Sequence, residues 1–121
     1  MIKVYKSINF LLSLPYNSMR VEFKTEYLES LYETPISEIR GKHAFGIEII
    51  KQVKKKVEIL IGISNILQLR QFRGLNFEYL KGNRKGEYSI RLNDQYRLIF
   101  EERNKNEIEI VLINEISKHY E

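Results

Sequence analysis

The chain has 121 residues, 43% of them hydrophobic and 30% charged, which is one domain's length with ordinary globular composition. It has no cysteine, which excludes disulfides, thiolate metal sites and a cysteine nucleophile. Its two histidines, His43 and His119, are too far apart in sequence to suggest a histidine metal site, and no apolar run approaches the ~20 residues of a membrane-spanning helix. Net charge is +4, and the segment from Arg70 to Arg91, with six cations against two anions, accounts for all of it. Such a concentration fits an anionic partner, nucleic acid or an acidic protein, or else a solvated basic face with no partner.

In chain order, residues 1–18 (MIKVYKSINFLLSLPYNS) place two lysines before a short apolar run that Asn9 interrupts. No small-residue cleavage pattern follows, so a secretory signal is not supported. The segment reads as a leader before a domain at 19–121, the alternative being an extra element packed on that domain. Arg20–Lys24 alternates as a first strand. Thr25 then caps a helix over Glu26–Glu33 whose apolar face is Tyr27, Leu28, Leu31 and Tyr32, and Thr34-Pro35 ends it.

A second helix is expected over His43–Ile61. Ile47, Ile50, Val53, Val57, Leu60 and Ile61 form its stripe, a run of lysines its solvated face and Gly62 its stop. Ser64–Phe72 reads as a short helical turn leading into a loop that carries Arg70 and Arg73.

The most informative stretch is Leu80–Phe100, LKGNRKGEYSIRLNDQYRLIF. Gly82 and Gly86 bracket a basic turn and permit the positive φ that lets backbone approach a polyanion. Tyr88–Leu92 and Tyr96–Phe100 alternate as strands. A three-residue turn at Asn93–Gln95 pairs 92 with 96, 91 with 97 and 90 with 98, keeping every apolar side chain on one face. It also sets Arg91 across from Arg97, so an anion, from a carboxylate or a bound phosphate, is expected near them. Glu102–Asn106 reads as a polar turn. Glu107–Asn114 reads as an interior last strand, with Ile110-Val111-Leu112-Ile113 apolar on both faces. The chain is then α+β, a small, mostly antiparallel sheet in the order β-α-α-β-β-β. Two helices pack on one face, and Arg91 and Arg97 lie on the other.

These residues resemble the signature of HigB-type toxins in the RelE/ParE superfamily, an LKG-x-RKG turn followed by Y-S-I-R, N-x-Q-Y-R and a closing Phe. Here that is Leu80-Lys81-Gly82, Arg84-Lys85-Gly86, Tyr88-Ser89-Ile90-Arg91, Asn93, Gln95-Tyr96-Arg97 and Phe100. The resemblance extends over roughly Met19–Glu121 and leaves the leader outside. It implies a RelE-like fold and the toxin of a type II toxin–antitoxin system, an endoribonuclease (mRNA interferase) that cleaves messenger RNA on the ribosome. It further implies a cytoplasmic protein with no metal or cofactor, a HigA-like helix-turn-helix antitoxin as partner, and no membrane association. Two other readings within the superfamily stay open: a toxin that inhibits DNA gyrase by binding, and an inactive antitoxin-binding or regulatory module. The chain departs from the family pattern at Glu78, where a histidine is common, and at Lys118-His119-Tyr120, where Asp-Tyr-His is common.

RNA cleavage by internal attack needs a base for the 2′-OH, cations for the charged phosphorane and an acid for the leaving oxygen. Lys81, Arg91 and Arg97 suit charge stabilisation. His119 suits proton transfer, with Glu78 as the other candidate base, and Tyr120 could stack on an unpaired base. Arg70, Arg73, Arg84 and Lys85 would grip phosphates. Against these roles stand plainer ones: Arg97 as a structural arginine paired with a carboxylate, Glu78 as a solvated loop residue, His119 as ordinary surface.

Overall fold

The structure, a computed structural model, describes residues 4–5, 19–41, 44–105 and 108–118. Among these residues six strands and two α-helices follow in order: β1 (Val4–Tyr5), β2 (Arg20–Phe23), α1 (Glu26–Glu33), α2 (Ile47–Gly62), β3 (Glu78–Tyr79), β4 (Glu87–Arg91), β5 (Tyr96–Lys105) and β6 (Ile108–Lys118). Short 3₁₀ turns stand at Ile36–Glu38, Ile66–Gln71 and Gly82–Arg84. The sheet order is β1-β2-β6-β5-β4-β3. Among the described strands only the β2–β6 pairing is parallel.

The α+β, mostly antiparallel layout is the expected one, but the strands are more numerous and longer: Glu78–Tyr79 is an added edge strand and the last strand runs on to Lys118. The leader is not wholly apart, since Val4–Tyr5 pairs antiparallel with β2. The segment read as a polar turn, Glu102–Asn106, is strand as far as Lys105, paired with Ile108–Val111. The reason is the edge. The β4 ladder stops at Glu87↔Glu101, so β5 beyond it has a neighbour on one side only, and its side chains are exposed. Charge there costs little, and the strand is hidden behind a polar composition.

Thr25 caps α1 as expected, its Oγ1 accepting the Leu28 N–H at 3.2 Å. The second helix starts at Ile47 rather than His43, which lies outside the described residues. Gly46 at its N-cap is extended; Ile47, read as part of the stripe, is 41% exposed, and Ile49 lies in the stripe instead. Gly62 is the last helical residue, and the Ile63 carbonyl accepts the Met19 N–H at 3.2 Å. Lys54, read as part of a solvated face, instead donates to the Tyr32 carbonyl at 2.8 Å and to the Thr34 carbonyl, satisfying the open end of α1.

Both helices pack on one face of the sheet. Val21, Phe23, Ile90, Leu98, Phe100 and Val111 meet Leu28, Leu31, Ile50, Val53, Val57 and Leu60 in one core. β6 is interior, and Ile110 to Ile113 are all buried, as their two-sided apolar run predicted. Among the described residues no helix is long and apolar enough to cross a membrane.

Candidate functional site

The β4–β5 hairpin has the register the alternation required. Ile90 stands opposite Leu98 and Arg91 opposite Arg97. The Leu92 N–H reaches the Tyr96 carbonyl at 2.9 Å. Asn93 Oδ1 accepts the N–H groups of Gln95 and Tyr96, both at 2.8 Å, which fixes the three-residue loop.

The two facing arginines have different surroundings. Arg97 is 7% exposed, and its Nε donates to Ser89 Oγ at 2.8 Å while Nη2 donates to the Asn76 carbonyl. Burial pushes its pKa down, Glu78 opposes that, and Arg91 adds to it. Its hydrogen-bond partners are a hydroxyl and backbone carbonyls rather than a carboxylate. Asn76 takes a left-handed φ of 46° to present its carbonyl, a conformation asparagine tolerates better than most residues. Arg91 stays partly open and donates to Asp94 Oδ1 at 2.6 Å. It lines a shallow cleft with Glu48, Ile49 and Gln52 of α2. Lys56 on that helix has its pKa lowered by burial first, then by Lys55 and Arg91.

The basic turn has the geometry its glycines allow, with φ of +65° at Gly82 and +99° at Gly86. Arg84 is not a free phosphate ligand. It donates to Glu115 Oε1 at 2.6 Å and lies 3.0 Å from Glu87 Oε1. The hydrogen bond to Glu115 is the main reason its pKa is raised, against the effect of burial. Glu87 Oε2 also accepts from Asn114 Nδ2 at 2.7 Å, and the same amide reaches Glu101 Oε1 at 2.9 Å. A β-bulge makes this possible. Ile99 pairs with Glu115 and Phe100 with Ile113, so Asn114 is the extra residue, and the consecutive side chains Asn114 and Glu115 both reach the same polar cluster. That cluster straps the turn to β5 and β6.

Lys81, Lys85, Arg70 and Arg73 are exposed, and none makes an ion pair or side-chain hydrogen bond among the described residues. Glu78 is exposed on β3, opposite Ser89 and hence beside Arg97. His119 and Tyr120 lie outside the described residues. The register and hydrogen bonds thus gather Glu78, Ser89, Arg91 and Arg97 on one patch, with the turn as a separate, strapped unit at its end. Sequence reasoning did not pick out Ser89, Asn76, Asn114 or Glu115. Ser89 had a signal, since it shares the arginine face by alternation, whereas the bulge that recruits Asn114 has none.

Residues 21–114 match the family described as the RelE-like toxin of the type II toxin–antitoxin system HigB. The chain is 40% identical over 83 residues to the toxin HigB-1 of Vibrio cholerae serotype O1, covering 69% of this chain and 83% of that protein. Its fold is similar to that of the YoeB/ParE toxin from Agrobacterium tumefaciens, with a TM-score of 0.50 at 14% identity over 83% of this chain and 98% of that one. The chain belongs to the HigB-like family of RelE-superfamily toxins, a family that pairs each toxin with an antitoxin.

Proposed function

We propose that this toxin is a ribosome-dependent messenger RNA endonuclease, acting in the cytoplasm and held in check by a HigA-like helix-turn-helix antitoxin. The observation that supports it best is the division of labour among the cations. Arg84 and Arg97 are engaged in internal contacts that rigidify the turn and the hairpin. Lys81, Lys85 and Arg91 remain accessible on that rigid frame, as a phosphorane-stabilising site requires. Lys81 and Arg91 then stabilise charge on the reacting phosphate. Lys85, Arg70 and Arg73 bind the backbone of messenger or ribosomal RNA, and the gain in affinity comes from released counterions.

Arg97 acts as a positioning residue, holding Ser89 and the Asn76–Glu78 segment beside Arg91. Glu78 is the described group available to take the 2′-OH proton, with His119 the alternative for base or acid and Tyr120 for stacking. The reaction is internal attack of the 2′-oxygen on phosphorus with expulsion of the 5′-oxygen, and no metal or cofactor enters it.

Induced expression followed by primer extension on translated and untranslated messages tests the reading. Cuts confined to translated messages support it. Growth arrest with intact messages and relaxed or broken DNA overturns it in favour of gyrase inhibition. Absence of arrest overturns it in favour of an inactive regulatory module.

A further inference from the structure

The exposed end of the sheet carries an aromatic feature that neither the basic turn nor the arginine pair uses. Tyr88 is stacked between Phe77, at 5.4 Å and 13°, and Phe100, at 5.8 Å and 22°. Tyr79 on β3 leans against Tyr88 at 5.3 Å and 50°, and half of it, 50%, is open to solvent. Under it runs a cleft lined by Leu67, Arg70, Phe77, Tyr79 and Tyr88. A second cleft, containing Phe72, Arg73 and Asn76, shares Arg70 and Phe77 with the first, so the two adjoin. Of the five large hydrophobic side chains that are exposed among the described residues, Leu67, Phe72 and Tyr79 belong to this one patch. The charged residues lining it are both arginines, Arg70 and Arg73.

A ring fixed by its neighbours but open on one side loses little side-chain freedom when something flat settles on it. An exposed guanidinium at the same cleft, with no carboxylate partner among the described residues, calls for an anion. A planar group carrying a phosphate meets both demands. We propose that the cleft takes an unpaired nucleobase, stacked on Tyr79 with its phosphate on Arg70. This deepens the endonuclease reading and rests on it for the identity of the nucleic acid as RNA. Tyr79 and Lys81 are two residues apart on extended backbone, about 7 Å, so a strand anchored in the cleft runs directly onto the basic turn. The cleft thereby sets where along the strand the turn engages. The pairing of stacked rings with guanidinium groups unpartnered among the described residues favours a base and its phosphate over an apolar peptide segment of a protein partner.

The test is equilibrium binding of a short single-stranded oligoribonucleotide carrying 2-aminopurine to the full chain, read by fluorescence quenching and by anisotropy over a salt series. Wild type should quench the probe. Tyr79→Phe should keep affinity and quenching, whereas Tyr79→Ala should lose the quenching and about tenfold in affinity. Arg70→Ala should weaken binding and lower the salt slope by about one. Lys85→Ala should weaken binding and leave quenching intact. Wild-type quenching and affinity in Tyr79→Ala, or a wild type that does not bind the probe, overturns the proposal. So does a Tyr79→Ala variant that loses only antitoxin binding, which would assign the cleft to the protein partner. Quenching that depends on Tyr79 in a protein that cuts no translated message keeps the cleft and removes the nuclease. Cleavage that proceeds unchanged in Tyr79→Ala, without quenching in wild type, removes the cleft alone.

Discussion

Arg91 and Arg97 face each other across β4 and β5, and each has a partner of its own: Arg91 the loop carboxylate of Asp94 at 2.6 Å, Arg97 the Ser89 Oγ across the hairpin at 2.8 Å. The pair therefore does not depend on a shared counterion, and its two members should respond differently to removal. Arg97→Ala leaves the buried Ser89 hydroxyl without its partner and frees the Asn76 carbonyl, and should cost about 1–3 kcal/mol. Arg91→Ala breaks an ion pair whose acid partner is 93% exposed and should cost less than about 1 kcal/mol while abolishing message cleavage. Urea denaturation of the two variants checks this, and equal midpoints would refute the buried role of Arg97.

Asn114 holds two carboxylates with one amide, at 2.7 and 2.9 Å. Asn114→Asp removes both donors and sets a third carboxylate beside Glu87 and Glu101. A loss of about 1–3 kcal/mol is expected at neutral pH. The loss should shrink on acidification. Burial alone would push Glu101 up, but Arg103 and Asn114 hold it below the usual carboxylate range. The stability that its depressed pKa provides is present above the ordinary carboxylate pKa and lost as pH falls through the folded one. Thermal melts of wild type and variant between pH 7 and pH 3 should therefore converge.

Lys81 and Lys85 have no ion-pair partner to lose among the described residues. Alanine at either position should leave stability within about 0.5 kcal/mol. Ribosome or RNA association should weaken at low salt, with a log–log salt slope smaller by about one for each phosphate no longer neutralised. Filter binding across a salt series reads this, and an unchanged slope would remove the phosphate role.

Alkaline pH should loosen the two helices from each other. Burial first, and then the hydrogen bond to Glu58, raise the Tyr32 pKa, so the folded phenol keeps its proton where the unfolded one, near pH 10, releases it. The associated stability is fully present below the unfolded pKa and is lost as pH rises toward the folded one. Denaturation at pH 8 and pH 11 should show a larger decline for wild type than for Tyr32→Phe.

Much of this was legible in the residues. Thr25 and the Leu28–Leu31 spacing placed α1, although Tyr27, read as part of its apolar face, is 44% exposed, and the alternation of Tyr88–Leu92 against Tyr96–Phe100 forced the three-residue turn and the arginine pairing. What stayed hidden was set by tertiary context. The polar end of β5 is strand because β6 pairs with it, not because Glu102 to Lys105 favour strands. Arg84 looks like a surface cation in sequence, and only the fold brings Glu115, thirty-one positions away, to it. The start of α2 was placed too early: the apolar stripe begins only at Ile47, and Gly46 is an extended N-cap.

The bulge at Asn114 gives β6 two phases of alternation. Val111 and Ile113 face the helices in one phase, and Ile116 rejoins that face three positions after Ile113 instead of two. Removing a single residue from a strand ordinarily turns everything beyond it inside out. At position 114 a one-residue deletion would instead merge the two phases, keep Ile116 on the core side and Ser117 on the side of Arg97, and sacrifice only the amide that quiets Glu87 and Glu101.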